Sequence, residues 1–138
     1  MKLLLIAGLA TAALFGVTGG VAATPTPYGT WTDRLTLNEM YDKGYDPRMR
    51  GTYKLVLAKN GTYKWFHALS GGWASGTLTV SGPRIVFAED TGCAQAGFTK
   101  KGFYRWSITG GKLVFKATRG DTCGGRWQFL TYATWKRA

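Results

Sequence analysis

Beyond residue 28, apolar and polar side chains alternate with a period of two, the pattern of strands that have one dry and one wet face. Trp31, Asp33, Leu35 and Leu37 alternate with Thr30, Thr32, Arg34 and Thr36. Tyr53, Leu55 and Leu57 alternate with Lys54 and Val56, and after Asn60-Gly61 the pattern resumes as Tyr63, Trp65 and His67 against Lys64 and Phe66. Asn-Gly between two such runs predicts a tight hairpin with both central residues at positive φ. Two more strand–turn–strand units follow: Thr77–Val80 with Arg84–Phe87 across Ser81-Gly82-Pro83, and Phe103–Ile108 with Leu113–Lys116 across Gly110-Gly111. Trp127 to Lys136 reads as the last strand, with Trp127, Phe129 and Trp135 on one side. One short helix is expected within residues 36–45, where Asn38 suits an N-cap, Glu39 and Asp42 a first turn, and Gly44 the end.

The connections add topology. They run long (38–50), tight (60–61), medium (68–72), tight (81–83), long (89–101), tight (110–111) and long (118–126). In a meander, successive connections fall at opposite ends, so the tight turns share one end and the long loops the other. Eight antiparallel strands arranged so can close into an up-and-down barrel with no free edge, a closed bottom and an open top. The two cysteines, Cys93 and Cys123, then sit on two long loops at one end, where a disulfide is geometrically natural.

The first residues change the picture of location. Met1-Lys2, an apolar run from Leu3 to Val17 broken only by small residues, and Val21-Ala22-Ala23 with small side chains before a cleavage point predict a secretory signal peptide over residues 1–23. The apolar run is short for a membrane span, and no Cys lies near the cut to take a lipid anchor. Thr24-Pro25-Thr26-Pro27 is an extended lead-in, and residues 28–138 make one domain, expected to be a secreted (extracellular or periplasmic) monomer. Export agrees with the use of both cysteines in one disulfide. Two Cys and the single His67 lack the spacing of a metal site, and no cofactor motif is present.

Gly29-Thr30-Trp31 at the first strand is similar to the Gly-x-Trp opening of the lipocalin-like, or calycin, barrels. The ordered series of Gly51-Thr52-Tyr53, Asn60-Gly61-Thr62-Tyr63, Gly76-Thr77-Leu78, Tyr104-Arg105-Trp106-Ser107, Asp121-Thr122-Cys123-Gly124-Gly125-Arg126 and Trp135-Lys136-Arg137 resembles small lipocalin-like domains of bacterial exported proteins. The resemblance implies an all-β, eight-stranded antiparallel barrel and, more loosely, apolar small-molecule binding. It also implies that Trp31 plugs the closed end beneath a late arginine, a role open to Arg137 or Arg126.

Strand alternation sends Tyr53, Tyr63, Trp65, Tyr104 and Trp106 into the barrel with Leu55, Leu57, Leu113 and Phe115. Those aromatic rings either line a cavity for a partly apolar ligand or fill the barrel outright. Asp33 and His67 are inward polar groups that need partners, from a ligand or from the protein. Asp121 and Arg126 bracket Cys123, so Arg126 either braces the mouth as an ion pair or turns inward to meet a ligand carboxylate. The expected ligand site is therefore Asp33, Tyr53, Tyr63, Trp65, His67, Tyr104, Trp106 and Arg126.

One His and no nucleophile motif leave little material for catalysis, and a His67–Asp33 dyad would need strands one and three to meet across the lumen. A non-enzymatic binder of a small apolar or amphipathic molecule is expected. Two other readings stay open. Eighteen Lys and Arg against seven Asp and Glu give a formal charge of +11, which suits an anionic polymer or membrane surface contacted through Lys54, Lys64, Arg105, Lys112 and Lys116. Export argues against nucleic acid as that partner. The long loops, residues 89–101 above all, would suit a protein-binding or inhibitory role.

Overall fold

The computed structural model describes residues 24–94 and 101–138; the signal peptide expected over residues 1–23 lies outside the described residues, as do residues 95–100 of the 89–101 connection. Eight strands, β1 (Gly29–Leu35), β2 (Gly51–Leu57), β3 (Thr62–His67), β4 (Gly72–Ser81), β5 (Arg84–Ala88), β6 (Gly102–Thr109), β7 (Lys112–Ala117) and β8 (Trp135–Arg137), form a closed barrel in sequence order. Every neighbouring pair is antiparallel, and β1 closes on β8 through Trp31 opposite Arg137 and Thr32 opposite Lys136. The inward phase is the apolar one. Trp31, Leu35, Tyr53, Leu55, Leu57, Tyr63, Ile85, Phe87, Tyr104, Leu113, Phe115 and Trp135 are all buried in one cluster.

The tight turns do gather at one end, with one difference in chemistry. Gly110 and Gly111 both have positive φ (57° and 74°), as a two-residue turn between paired Thr109 and Lys112 requires. At the first hairpin only Gly61 does (85°), and Asn60 does not. There Gly61 N–H donates to Ala58 C=O and Ala58 N–H to Thr62 C=O, so the loop is one residue longer, and Gly61 supplies the left-handed position that follows the turn. Asn60 serves instead as a side-chain acceptor for the Thr62 N–H and hydroxyl.

The same end is plugged as the resemblance implies. The Arg137 guanidinium lies 4.1 Å from the Trp31 ring centroid and donates to the Tyr28 and Thr26 carbonyls, while Trp31 Nε1–H donates to Pro27 C=O. Gly29 makes this possible: it sits at φ 135°, and any Cβ there would run into the Arg137 guanidinium.

The other end departs from expectation. β1 stops at Leu35, and Thr36, not Asn38, caps helix α1 (Leu37–Asp42) in a reciprocal capping box with Glu39. A 3₁₀ turn (Pro47–Met49) follows. A short helix α2 (Thr91–Ala94) opens the 89–101 connection. The largest correction is the eighth strand. Residues 124–132 are a helix, α3 (Gly124–Tyr132), and only Trp135–Arg137 pair as β8.

Arg126, Phe129, Leu130 and Ala133 are buried at helical spacing, which seats α3 across the barrel mouth. Phe129 packs on Trp65 (4.8 Å between ring centroids), Tyr53 and Trp135, and Tyr132 stacks on Tyr45 from the 36–50 connection. The barrel thus carries a plug at its base and a helical lid over its top.

Candidate functional site

The eight residues expected to hold a ligand are inward or rim positions, but their polar atoms meet protein partners. Tyr53 hydroxyl donates to Met49 C=O (3.0 Å), and its ring stacks on His67. Both His67 nitrogens are engaged, Nδ1 with Ser70 Oγ (3.0 Å) and Nε2 with Arg50 C=O (2.8 Å). Asp33 accepts from Thr134 N–H (2.9 Å), tying β1 to the residue before β8. Because Asp33 is opposite Tyr53 and Tyr53 opposite His67, a whole strand separates the carboxylate from the imidazole, and the two do not form a dyad. Trp106 Nε1–H reaches Gly82 C=O (2.9 Å) at the tight-turn end, away from the rim.

The rings themselves touch. Phe87 meets Tyr63, Tyr104 and Phe115 edge to face at centroid separations of 4.9, 5.7 and 5.8 Å, a favourable arrangement of ring quadrupoles. In this region the aromatic interior is a packed core.

At the rim, two matching units orient the loops. Tyr63 donates to Asp90, whose other oxygen accepts from Gly92 N–H; Tyr104 donates to Asp121, whose other oxygen accepts from Cys123 N–H. Each Asp thus turns its own loop two residues on, bringing Cys93 and Cys123 together in a disulfide with Cα atoms 5.6 Å apart. Arg126 completes the second unit with a two-pronged contact to Asp121, Nε to Oδ2 at 2.8 Å and Nη2 to Oδ1 at 2.7 Å, both side chains fully buried. Arg126 thus forms the ion pair with Asp121 that the bracing arrangement requires.

Burial works against ionising Asp121, yet hydrogen bonds from Arg126, Tyr104 and the Cys123 N–H outweigh it and hold the carboxyl below its usual range. Burial is also the main reason the Tyr63 and Tyr104 phenols are pushed far up, with their carboxylate partners adding to it; Tyr53 is pushed up to about 12 by burial. These phenols are firmly neutral donors.

Trp65 is the exception among the eight. Its Nε1–H is shielded from water and has no hydrogen-bond partner among the described residues. It lines a rim pocket of about 360 Å³ together with Trp73, Asp90, the disulfide, the Gly124-Gly125 start of α3 and Arg126. Trp73 is outward on β4, opposite Phe66, and 67% exposed. Alternation therefore assigns it to the wet face; only the loops folding beside it make it a wall. Asp90 was missed too, although Asp90-Thr91-Gly92-Cys93 and Asp121-Thr122-Cys123 share a legible signature: an Asp-Thr pair just ahead of a bridging Cys.

Asp90, Cys93 and Cys123 bring their ligand atoms within 4.8 Å of one another. Both sulfurs are committed to the disulfide, so the trio offers one carboxylate to a cation.

Together these features define a closed eight-stranded antiparallel barrel with a plugged base and a disulfide-tied, lidded rim, an architecture compatible with a lipocalin-like fold. No family model matches the chain, and comparison with curated proteins and with solved structures finds no match either.

Proposed function

We propose that this is a secreted, lipocalin-like binding protein that takes a small amphipathic molecule at its rim, between Trp65, Trp73 and the disulfide. The observation that carries the reading is the orphaned Trp65 N–H in the wall of that pocket. A buried donor without a partner costs about 1–3 kcal/mol, which a ligand acceptor reaching it would recover. The aromatic walls favour an apolar body, and the pocket volume is in the range small ligands use. A disulfide, and the lack among the described residues of any helix long and apolar enough to cross a membrane, are compatible with an extracellular or periplasmic setting. Binding is favoured over catalysis because the one imidazole already has both nitrogens hydrogen-bonded.

The test uses an apolar fluorescent dye that carries a ketone acceptor. Saturable uptake is expected, weakened about fivefold by Trp65→Phe, which keeps the ring and removes the N–H. The same variant, ligand-free, is expected to melt at a higher temperature, because the unpaired donor is gone. Uptake unchanged by both Trp65→Phe and Trp73→Ala would place the ligand elsewhere and end this reading.

A further inference from the structure

Opposite strands usually avoid setting like charges face to face, since such pairs are destabilising. The outer wall of β5, β6 and β7 does the reverse. Arg84 is directly opposite Arg105, and Arg105 directly opposite Lys116, so three cations form one continuous cross-strand row. All three are exposed. Among the described residues the ion pairs are Arg48–Asp46 and Arg126–Asp121, so no carboxylate pairs with any member of the row.

The next row toward the rim supplies a floor. Val86 is opposite Phe103, and Thr118 bonds back to the Phe103 carbonyl through both its N–H and its hydroxyl. Arg119 lies over the Phe103 ring, 4.7 Å from its centroid. Arg84 and Arg105 on one side and Arg119 on the other thus border a groove of about 490 Å³ with half-buried Val86 and Phe103 between them.

We propose that this groove binds a chain bearing repeated phosphate or sulfate groups, such as an anionic polymer at a cell surface. The guanidinium forks of Arg84 and Arg105 match tetrahedral oxyanions with two donors each, which a lysine patch would not do. A row one strand-spacing apart per cation suits successive charges on a linear polyanion, and the apolar floor suits the uncharged units between them. Binding relieves a repulsion that the free barrel carries.

That last point separates this site from generic attraction to a basic protein. The whole chain is strongly basic, so any polyanion will be drawn weakly to it. The specific site makes a two-signed demand. Arg105→Gln is expected to raise Tm, because it removes the middle charge of the row, and to weaken binding to inorganic polyphosphate at least tenfold at physiological salt. Removing twice that charge on the far wall, in Lys54→Gln/Lys64→Gln, is expected to change polyphosphate binding by less than about threefold.

The full chain, in the form its exporting host produces, is titrated with polyphosphate, dextran sulfate, polyglutamate and phosphatidylglycerol vesicles. Tighter binding to polyphosphate or dextran sulfate than to polyglutamate, lost in Arg84→Gln and Arg105→Gln, supports the groove, and which of the two polymers wins decides between phosphate and sulfate. Equal losses from the two walls, binding of polyglutamate as tight as of polyphosphate, or binding confined to vesicles would each overturn it. Lower Tm in Arg105→Gln would also count against it, since the row would then be stabilising without a ligand. None of these outcomes depends on the rim pocket, which lies outside the groove.

Discussion

Each end of the barrel is finished by an arginine, and the two do opposite jobs. At the base, Arg137 lies open to water over the face of Trp31 and gives its N–H groups to the Tyr28 and Thr26 carbonyls. At the rim, Arg126 is 1% exposed and gripped by the Asp121 carboxylate. The first is a packing element whose charge stays hydrated. The second is a buried charge, tolerable only because an opposite charge and further hydrogen bonds surround it. The lesson is that the base is held by contacts that can be weakened gradually, whereas the rim is held by a network that fails as a unit.

The sharpest way to break the comparison is Arg126→Ala, which leaves Asp121 buried beside Tyr104 without its cation. A loss of about 3–5 kcal/mol is expected by chemical denaturation. Replacing both partners with apolar residues, Asp121→Leu/Arg126→Met, is expected to recover a large part of it, because the cost is that of an orphaned charge. If the double variant is as unstable as the single one, the pair acts through geometry alone.

The disulfide comes next. Cys93→Ser/Cys123→Ser opens a link between residues 30 apart in sequence, and about 3–4 kcal/mol is expected on the chain-entropy account. The loss should be concentrated at the rim: hydrogen exchange is expected to quicken in α2 and α3 and to stay slow at Trp31 and Trp135. Uniform acceleration would show that base and rim melt together.

Acid probes the rim without mutation. The folded-state pKa of Asp121 is depressed, so its contribution is fully present above the unfolded value near pH 4 and is lost as pH falls through the lower folded value. The wild type is expected to lose stability below about pH 4 with a steeper slope than Asp121→Asn. At the alkaline side the sign reverses. Tyr53, Tyr63 and Tyr104 have raised values, so their contribution holds below about pH 10 and disappears as pH climbs through the folded values, about 12 for Tyr53. Absorbance of ionised phenols should therefore rise in two stages, these three last and together with unfolding.

The same contrast explains what was legible in the sequence. The barrel follows from period-two alternation and turn glycines, all local signals, and the plugged base from the resemblance carried by Gly29-Thr30-Trp31 in the first strand. The rim does not. Trp, Phe, Thr and Tyr favour strands, and Gly124-Gly125 gives α3 a poor start with no side-chain cap, so residues 127–136 look like a strand. The helical spacing of 126, 129, 130 and 133 is present, but its first member is an arginine, and only Asp121 makes that arginine a core residue. Likewise, the buried phenols do need partners; the rim loops supply them, and a loop folding back over a barrel leaves no periodic trace. Trp65 could be found by alternation because it is inward, whereas Trp73 could not, because its role depends on neighbours distant in sequence.

The smallest effects belong to the base, where they test whether that end really is held by contact. Arg137→Ala removes the cation over Trp31 and two exposed hydrogen bonds, for which about 1 kcal/mol is expected. Arg137→Lys keeps the charge but loses the planar stack and the paired reach to Tyr28 and Thr26, so it should fall between wild type and Ala. Both differences should barely change with salt, because a ring face and backbone carbonyls carry no net charge to screen, whereas attraction between distant surface charges would fade as salt rises. A loss at Arg137 as large as that at Arg126 would mean that the base, too, depends on one indispensable group.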